Sequence, residues 1–456
     1  MQQRAMIRHL LATAALLAPV PALAQSQQDA LDARYDRALA AGYKALFLCS
    51  AIANAERAGT TRTPESVMQW ELTGIQAPLD GIAAELPYEV VRMGEGGGQI
   101  RHVSVRWVQD MEPRYAAHKP GKGCSLLPVG GEPRSDQTAG RQASYTSAPV
   151  AHAEDAGLAA ALERGFSPDY GEGARTTAVL VRRGSSTLGE RYTEGFGPDT
   201  PQRTWSVAKS LAATLIGAAV QRGEADVQAS VGLGLADSDP RRAITIDHLL
   251  RMASGRYSDT AGNRTDPIYF GGGTVGERAA VWPLIHPPGT VYRYANNDTL
   301  MAVKAIDGTF DDHPPAEFFA KLGMHDTVAE TDWQGNYILS SQVWSTARDL
   351  ARLGQLYLDD GMLGEERVLP EGWVDYISSP SGPQPEGPFG YGAGFWLFNN
   401  TDGIPPDTFA AMGNRGQYVV IVPSRDVVIV RRGEDPAGSR FDIAAFTRDV
   451  LAALEN

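Results

Sequence analysis

The chain has 456 residues, 43% hydrophobic and 21% charged, enough for two or three domains at about 150 residues each and for a sizeable core. Forty-one Lys and Arg against 54 Asp and Glu give a net charge of −13 with no long basic run, which argues against a nucleic-acid-binding footprint. Two cysteines exclude a small disulfide-stapled scaffold.

Residues 1–24 read as a secretory signal. Arg4 and Arg8 form a positive n-region, Leu10 to Pro21 is apolar and Ala-rich, and Ala22-Leu23-Ala24 fits the small-residue rule for cleavage before Gln25. The apolar stretch is short for a bilayer and holds Pro19 and Pro21. A periplasmic or secreted protein with no membrane span after signal removal is expected.

Residues 25–127 form an N-terminal segment without a motif that converts into chemistry. A helix is predicted over Tyr43 to Arg57 and a strand over the alternating run His102 to Val108, a small α/β unit. Cys49 lies on that helix and Cys124 in the turn Gly121-Lys122-Gly123-Cys124. In an oxidising compartment one disulfide is the natural pairing; two unconnected buried thiols are the alternative. Gly, Pro, Ser and Thr then dominate residues 128–155, the predicted linker.

The second domain spans 156–456. Thr176 to Arg183 and Thr187 to Phe196 flank Gly184-Ser185-Ser186 as a hairpin, and an apolar helix runs from about Ser206 to Gln221, stopped by Gly223. Gly416 to Val422 and Asp426 to Arg432 form a second hairpin around Pro423-Ser424-Arg425, and Phe441 to Leu454 reads as a closing helix. Strands at both ends with helices between them predict an α+β fold, one antiparallel sheet built from both termini of the domain with an inserted helical region.

Three motifs carry chemistry. Ser206-Val207-Ala208-Lys209 is the one Ser-x-x-Lys in the chain. At a helix start, positions i and i+3 share a face, so the hydroxyl and amine meet. The apolar continuation Leu211 to Ala218 buries that end, lowers the lysine pKa and lets it take the serine proton. The bland alternative is an N-cap serine. Tyr294-Ala295-Asn296 is the one Tyr-x-Asn: a phenol can shuttle protons and an amide can hold the substrate or the lysine, whereas a core tyrosine in a loop is the plain reading. Ala411-Met412-Gly413-Asn414-Arg415-Gly416-Gln417 brings a strand backbone close to a substrate, as an oxyanion hole requires, or is an ordinary glycine-rich turn. Scattered histidines without paired ligand spacing point to no metal, and no cofactor is expected.

Together with Glu190-Arg191-Tyr192, Leu249 to Gly255, Pro288-Gly289-Thr290 and Ser345 to Arg352, where Thr346 and Asp349 read as a capping box, these residues resemble the serine β-lactamase and penicillin-binding-protein superfamily. The likeness is specifically to class C-like esterases and 6-aminohexanoate-dimer hydrolases, over about Gly171 to Asn456. The resemblance implies Ser206 as acylated nucleophile, Lys209 and Tyr294 as general base and acid, and Asn296 as second-motif amide. It also implies the backbone N–H groups of Ser206 and Asn414 as oxyanion donors. Ala411 stands where relatives commonly carry Lys or His, so a cation for a β-lactam carboxylate is missing unless Arg415 replaces it. Trp205, Tyr257, Gly413 and Arg415 are the remaining substrate-binding candidates. The expectation is an exported serine hydrolase of small esters or linear amides; the alternatives are a β-lactamase, a D-amino-acid peptidase, or a penicillin-recognising sensor module with little turnover.

Overall fold

In the computed structural model of the protein, residues 20–94, 98–134, 148–258 and 265–455 are described, with side chains from residue 25. The predicted signal segment lies outside them up to residue 19, as does the 135–147 part of the predicted linker.

The helix predicted over residues 43–57 is the end of a longer one, α1 (Val20–Arg57). From Gln25 onward it is long and apolar enough to cross a membrane, but its apolar window is fully buried in the fold. Ala38, Ala40, Ala41, Ala45 and Phe47 face the core, and small side chains let a sheet approach closely. That antiparallel sheet has the order β1 (Tyr88–Arg92), β2 (Ile100–Val105), β3 (Arg114–Lys119), β4 (Gly123–Leu126). Two short helices, α2 (Pro64–Trp70) and α3 (Leu79–Glu85), lie between α1 and the sheet in sequence. A disulfide from Cys49 to Cys124 joins α1 to β4. Beside it Glu330 is buried: its carboxyl accepts from the Cys124 N–H at 2.9 Å and from the Trp344 indole N–H at 3.1 Å.

The chain continues with α4 (Ala156–Arg164) and the hairpin β5 (Thr176–Arg183) and β6 (Ser186–Tyr192), followed by α5 (Val207–Gln221). Short strands β7 (Gln202–Arg203), β8 (Val328–Ala329) and β9 (Val343–Ser345) form a three-stranded sheet; β10 (Met362–Leu363) pairs with β11 (Glu366–Arg367). The main sheet is antiparallel, in the order β12 (Gly390–Tyr391), β13 (Trp396–Leu397), β14 (Phe409–Gly413), β15 (Gln417–Val422), β16 (Val427–Gly433), β5, β6. Strands β14 to β16, late in the chain, therefore close on the β5–β6 hairpin.

Both faces of this sheet are covered, so its central strands read as near-continuous apolar runs. Alternate residues feed two cores. Leu180, Val419, Ile421, Val428 and Val430 join the side packed by α5 and the helix Ala347–Leu358. Val179, Val181, Val420, Val422 and Ile429 join the side covered by α4 and the closing helix Ile443–Ala453. Helix α5 is buried nearly all round, which is why it carries no polar face. The capping box expected at Thr346 is half present: Thr346 caps Asp349, but the Asp349 carboxylate turns to the Asp326 N–H and the Thr327 hydroxyl.

Candidate active site

Ser206 sits at the N-cap of α5 with φ −70° and ψ −4°, and its hydroxyl makes no capping bond. That separates it from an ordinary N-cap serine. One turn later, Lys209 Nζ lies 2.9 Å from Ser206 Oγ, 2.6 Å from Asn296 Oδ1 and 2.9 Å from the Ser340 carbonyl oxygen. The ammonium is buried among neutral groups, and desolvation alone holds its pKa well below the ordinary 10.5. A neutral amine fits these partners: two N–H bonds to Asn296 and Ser340 leave the lone pair for the serine proton.

Tyr294 ends the loop before the helix Asn296–Lys304. Its hydroxyl shares a hydrogen bond with Ser206, and its ring lies 5.0 Å from Lys209 Nζ. Burial raises its pKa, so the phenol keeps its proton and is suited to be a donor. Tyr391 and Trp396 pack around the ring at 6.0 and 5.5 Å between centroids. Asn296 is held on both ends, accepting from Lys209 and donating to Thr265 Oγ1 at 3.0 Å. Its amide thus bonds the lysine, and the residue also lines the cavity described below. The helix carrying it is tied down by a buried ion pair, Arg256 to Asp298 at 2.7 Å, which Ser254 also joins at 2.8 Å.

Gly413 ends β14 against Ser206. A Cβ there would overlap the Thr204 carbonyl oxygen and stand 3.1 Å from the Ser206 nitrogen. Glycine thus brings the turn at Asn414 beside the N-terminus of α5, where partial positive charge and backbone donors favour an oxyanion. Ser206, Tyr294, Asn296, Gly413 and Asn414 line one cavity of about 880 Å³, together with Phe389, Trp396, Met412, Tyr418 and Phe441, and Lys209 lies behind this lining.

Two candidates fall elsewhere. Arg415 does not enter the cavity: its guanidinium is buried on the far side of the turn, bonded to Glu434 at 2.7 Å and to the carbonyls of Trp70 and Thr73. It cannot stand in for the missing cation at Ala411, which is itself sealed in the core. Tyr257 is 41% exposed, beside Arg293 and outside the cavity lining. Trp205 does line the cavity, but it is 6% exposed and lies under the Arg203 guanidinium at 4.2 Å.

Several site residues gave no signal in the sequence. The Ser340 carbonyl and Thr265 act through backbone position and tertiary contact. Asp266 lines the cavity with burial pushing its carboxyl up to about 6. Gln76 reaches the same cavity from the N-terminal segment.

Residues 162–452 match the family model described as Beta-lactamase. The chain is 28% identical over 297 residues to the 6-aminohexanoate-dimer hydrolase of Paenarthrobacter ureafaciens, covering 57% of this chain and 73% of that one. Among solved structures, one provisionally assigned as a beta-lactamase from Bacteroides dorei superposes with a TM-score of 0.54 at 19% identity, over 66% of this chain and 99% of the other. Another, provisionally assigned as a 6-aminohexanoate-dimer hydrolase from Bacillus anthracis, gives 0.52 at 21% identity, over 61% and 79%. These two likenesses concern the fold.

Proposed function

The chain belongs to the beta-lactamase family and is a serine hydrolase of amides or esters, and we propose that it works through an acyl-enzyme on Ser206 and prefers an ester or linear amide to a β-lactam. Lys209 takes the Ser206 proton as Oγ attacks the substrate carbonyl carbon. The resulting oxyanion is held by the N–H groups of Ser206 and Asn414. Tyr294 donates its proton to the leaving amine or alkoxide as the C–N or C–O bond breaks, which leaves a tyrosinate and, on Lys209, the proton taken from the serine. Water then attacks the acyl ester and gives its proton to the tyrosinate, while the serine oxygen leaves with the proton held on Lys209, releasing the acid and restoring all three side chains.

The observation that carries this reading is the contact set of Lys209, with Ser206, Asn296 and Ser340 all within 2.9 Å. The substrate class is supported by the apolar and aromatic lining, by Ala411 at the third-motif position and by the amide substrate in the name of the 28% identical relative. Export is supported by the N-terminal signal pattern and by the Cys49–Cys124 bond, which suits an oxidising compartment. Labelling with a fluorophosphonate tests the nucleophile: one labelled site, lost in Ser206→Ala together with activity, is expected, and labelling that survives the substitution would refute the mechanism.

A further inference from the structure

The family match begins at residue 162, yet the segment before it reaches the catalytic centre from two directions. Each proposed oxyanion donor adjoins a non-glycine residue in the left-handed region. Trp205, with φ 49°, precedes Ser206, and Arg415, with φ 56°, follows Asn414. Bulky side chains hold that conformation only when their surroundings over-determine it.

In both cases part of those surroundings comes from residues 43–73. The Trp205 indole packs against Tyr43 and Phe47 of α1 at ring separations of 6.5 and 5.9 Å. The Arg203 guanidinium lies over both Phe47 and Trp205, at 4.8 and 4.2 Å. On the other turn, Arg415 Nη2 donates to the carbonyls of Trp70 at 2.8 Å and Thr73 at 2.9 Å.

The strap that carries those carbonyls is pinned along its length. Arg62 is bidentate on Glu71 at 2.8 and 2.7 Å. Arg175 donates to the Gln69 carbonyl at 2.9 Å and lies over the Trp70 ring at 4.3 Å. Ala437 N–H donates to the Gly74 carbonyl at 2.7 Å, and two residues further on Gln76 lines the cavity.

We infer that the N-terminal segment is a working part of the active site, holding both oxyanion turns through the side chains of Trp205 and Arg415. These two are positioning residues, and the inference rests on the reading of Ser206 and Asn414 as oxyanion donors. Such donors act chiefly in the transition state, so a loosened turn lowers kcat and leaves KM in place. A tie that served folding alone would change the fraction of intact enzyme and leave the turnover of each intact site unaltered.

The full-length protein, Arg415→Ala, Arg415→Lys and Phe47→Leu are compared on p-nitrophenyl acetate, with active sites counted by fluorophosphonate titration. Arg415→Ala is expected to lose about tenfold or more in kcat per titrated site with KM within about twofold. Arg415→Lys, which keeps a donor for one carbonyl, recovers part of the loss, and Phe47→Leu loses about threefold or more by the other turn. Per-site kcat within about twofold of native in both Arg415→Ala and Phe47→Leu would overturn the inference. Should Arg415→Ala fail to fold, Arg415→Lys and Phe47→Leu decide on the same criterion. A native protein that is not labelled at Ser206 removes the mechanistic reading first, and this inference with it.

Discussion

Lys209 Nζ stands 2.9 Å from Ser206 Oγ and has two carbonyl-type oxygens, but no carboxylate, as its other partners. Among the described residues no opposite charge offsets the cost of burying an ammonium there, so the amine is poised to be neutral when the serine must be deprotonated.

Substitution of the relay residues should therefore be severe. Lys209→Ala and Tyr294→Phe are each expected to lower kcat by about 10² to 10⁴ with the fold retained, the usual scale for loss of a general acid or base. The double variant should fall far short of the product of the two losses, because both side chains handle the same protons. Steady-state kinetics with circular dichroism on all three proteins checks this. Near-native turnover in Tyr294→Phe would assign the relay to Lys209 alone.

The pH profile carries the sign of the Lys209 shift. In the proposed mechanism activity needs the unprotonated amine, so kcat/KM should rise with pH and reach its plateau well below 10.5, the ordinary lysine value. A profile that is still climbing at that pH would contradict a desolvated lysine base.

Stability should move the other way through Glu330. Burial raises its carboxyl from 4.5 to about 7, against the opposing bonds from the Cys124 N–H and the Trp344 indole and the charge of Arg203. The folded state thus keeps a proton that the unfolded chain releases near 4.5. Its contribution is full below that pH and is lost as pH rises through 7, up to roughly 3 kcal/mol. Relative to Glu330→Gln, native protein should lose thermal stability between pH 5 and pH 8. A gap in Tm that stays constant with pH would refute the assignment.

The bond between Cys49 and Cys124 closes a span of 75 residues. In the chain-entropy description such a loop is worth about 4.5 kcal/mol. Replacing both cysteines by serine should lower the denaturant midpoint accordingly, and peptide mapping without reductant should show the linked pair.

Substrate preference follows from the cavity. With Ala411 in the core and Arg415 turned away, kcat/KM for short-chain p-nitrophenyl esters should exceed that for a chromogenic cephalosporin by at least about tenfold, or ~1.4 kcal/mol of transition-state binding. A preference for the cephalosporin in parallel assays would mean that another cation serves its carboxylate, with Arg440 and Arg448 of the same cavity the first to test.

What the sequence made legible was local. The two hairpins and α5 follow from period and punctuation, and Ser206 with Lys209 from one helical turn. Long-range contacts were not legible in this way. Adjacency to Gly413 and Asn414 placed Arg415 near the catalytic turn but said nothing of which side its chain takes, and the carbonyls it meets, at Trp70 and Thr73, are more than 300 residues away. In the N-terminal sheet only the run at 102–108 was read as a strand. Of the others, β4 is four residues long and buried throughout, so it shows no alternation to read. The Ser340 carbonyl is a backbone atom, and no side-chain pattern announces it.

The order of the main sheet sets a schedule for synthesis. Strand β5 pairs with β16, residue 181 opposite residue 429, so the sheet is incomplete until almost the whole chain has emerged. Until then the buried residues of α5, Val207 to Ala219, lack the strands they pack on. Pairing at such sequence distance is slow to form, and an apolar stretch left waiting invites association with other chains. The nascent hydrolase is thus at its most vulnerable just before its last strands arrive, and a holdase that grips apolar helices would shield it in that interval.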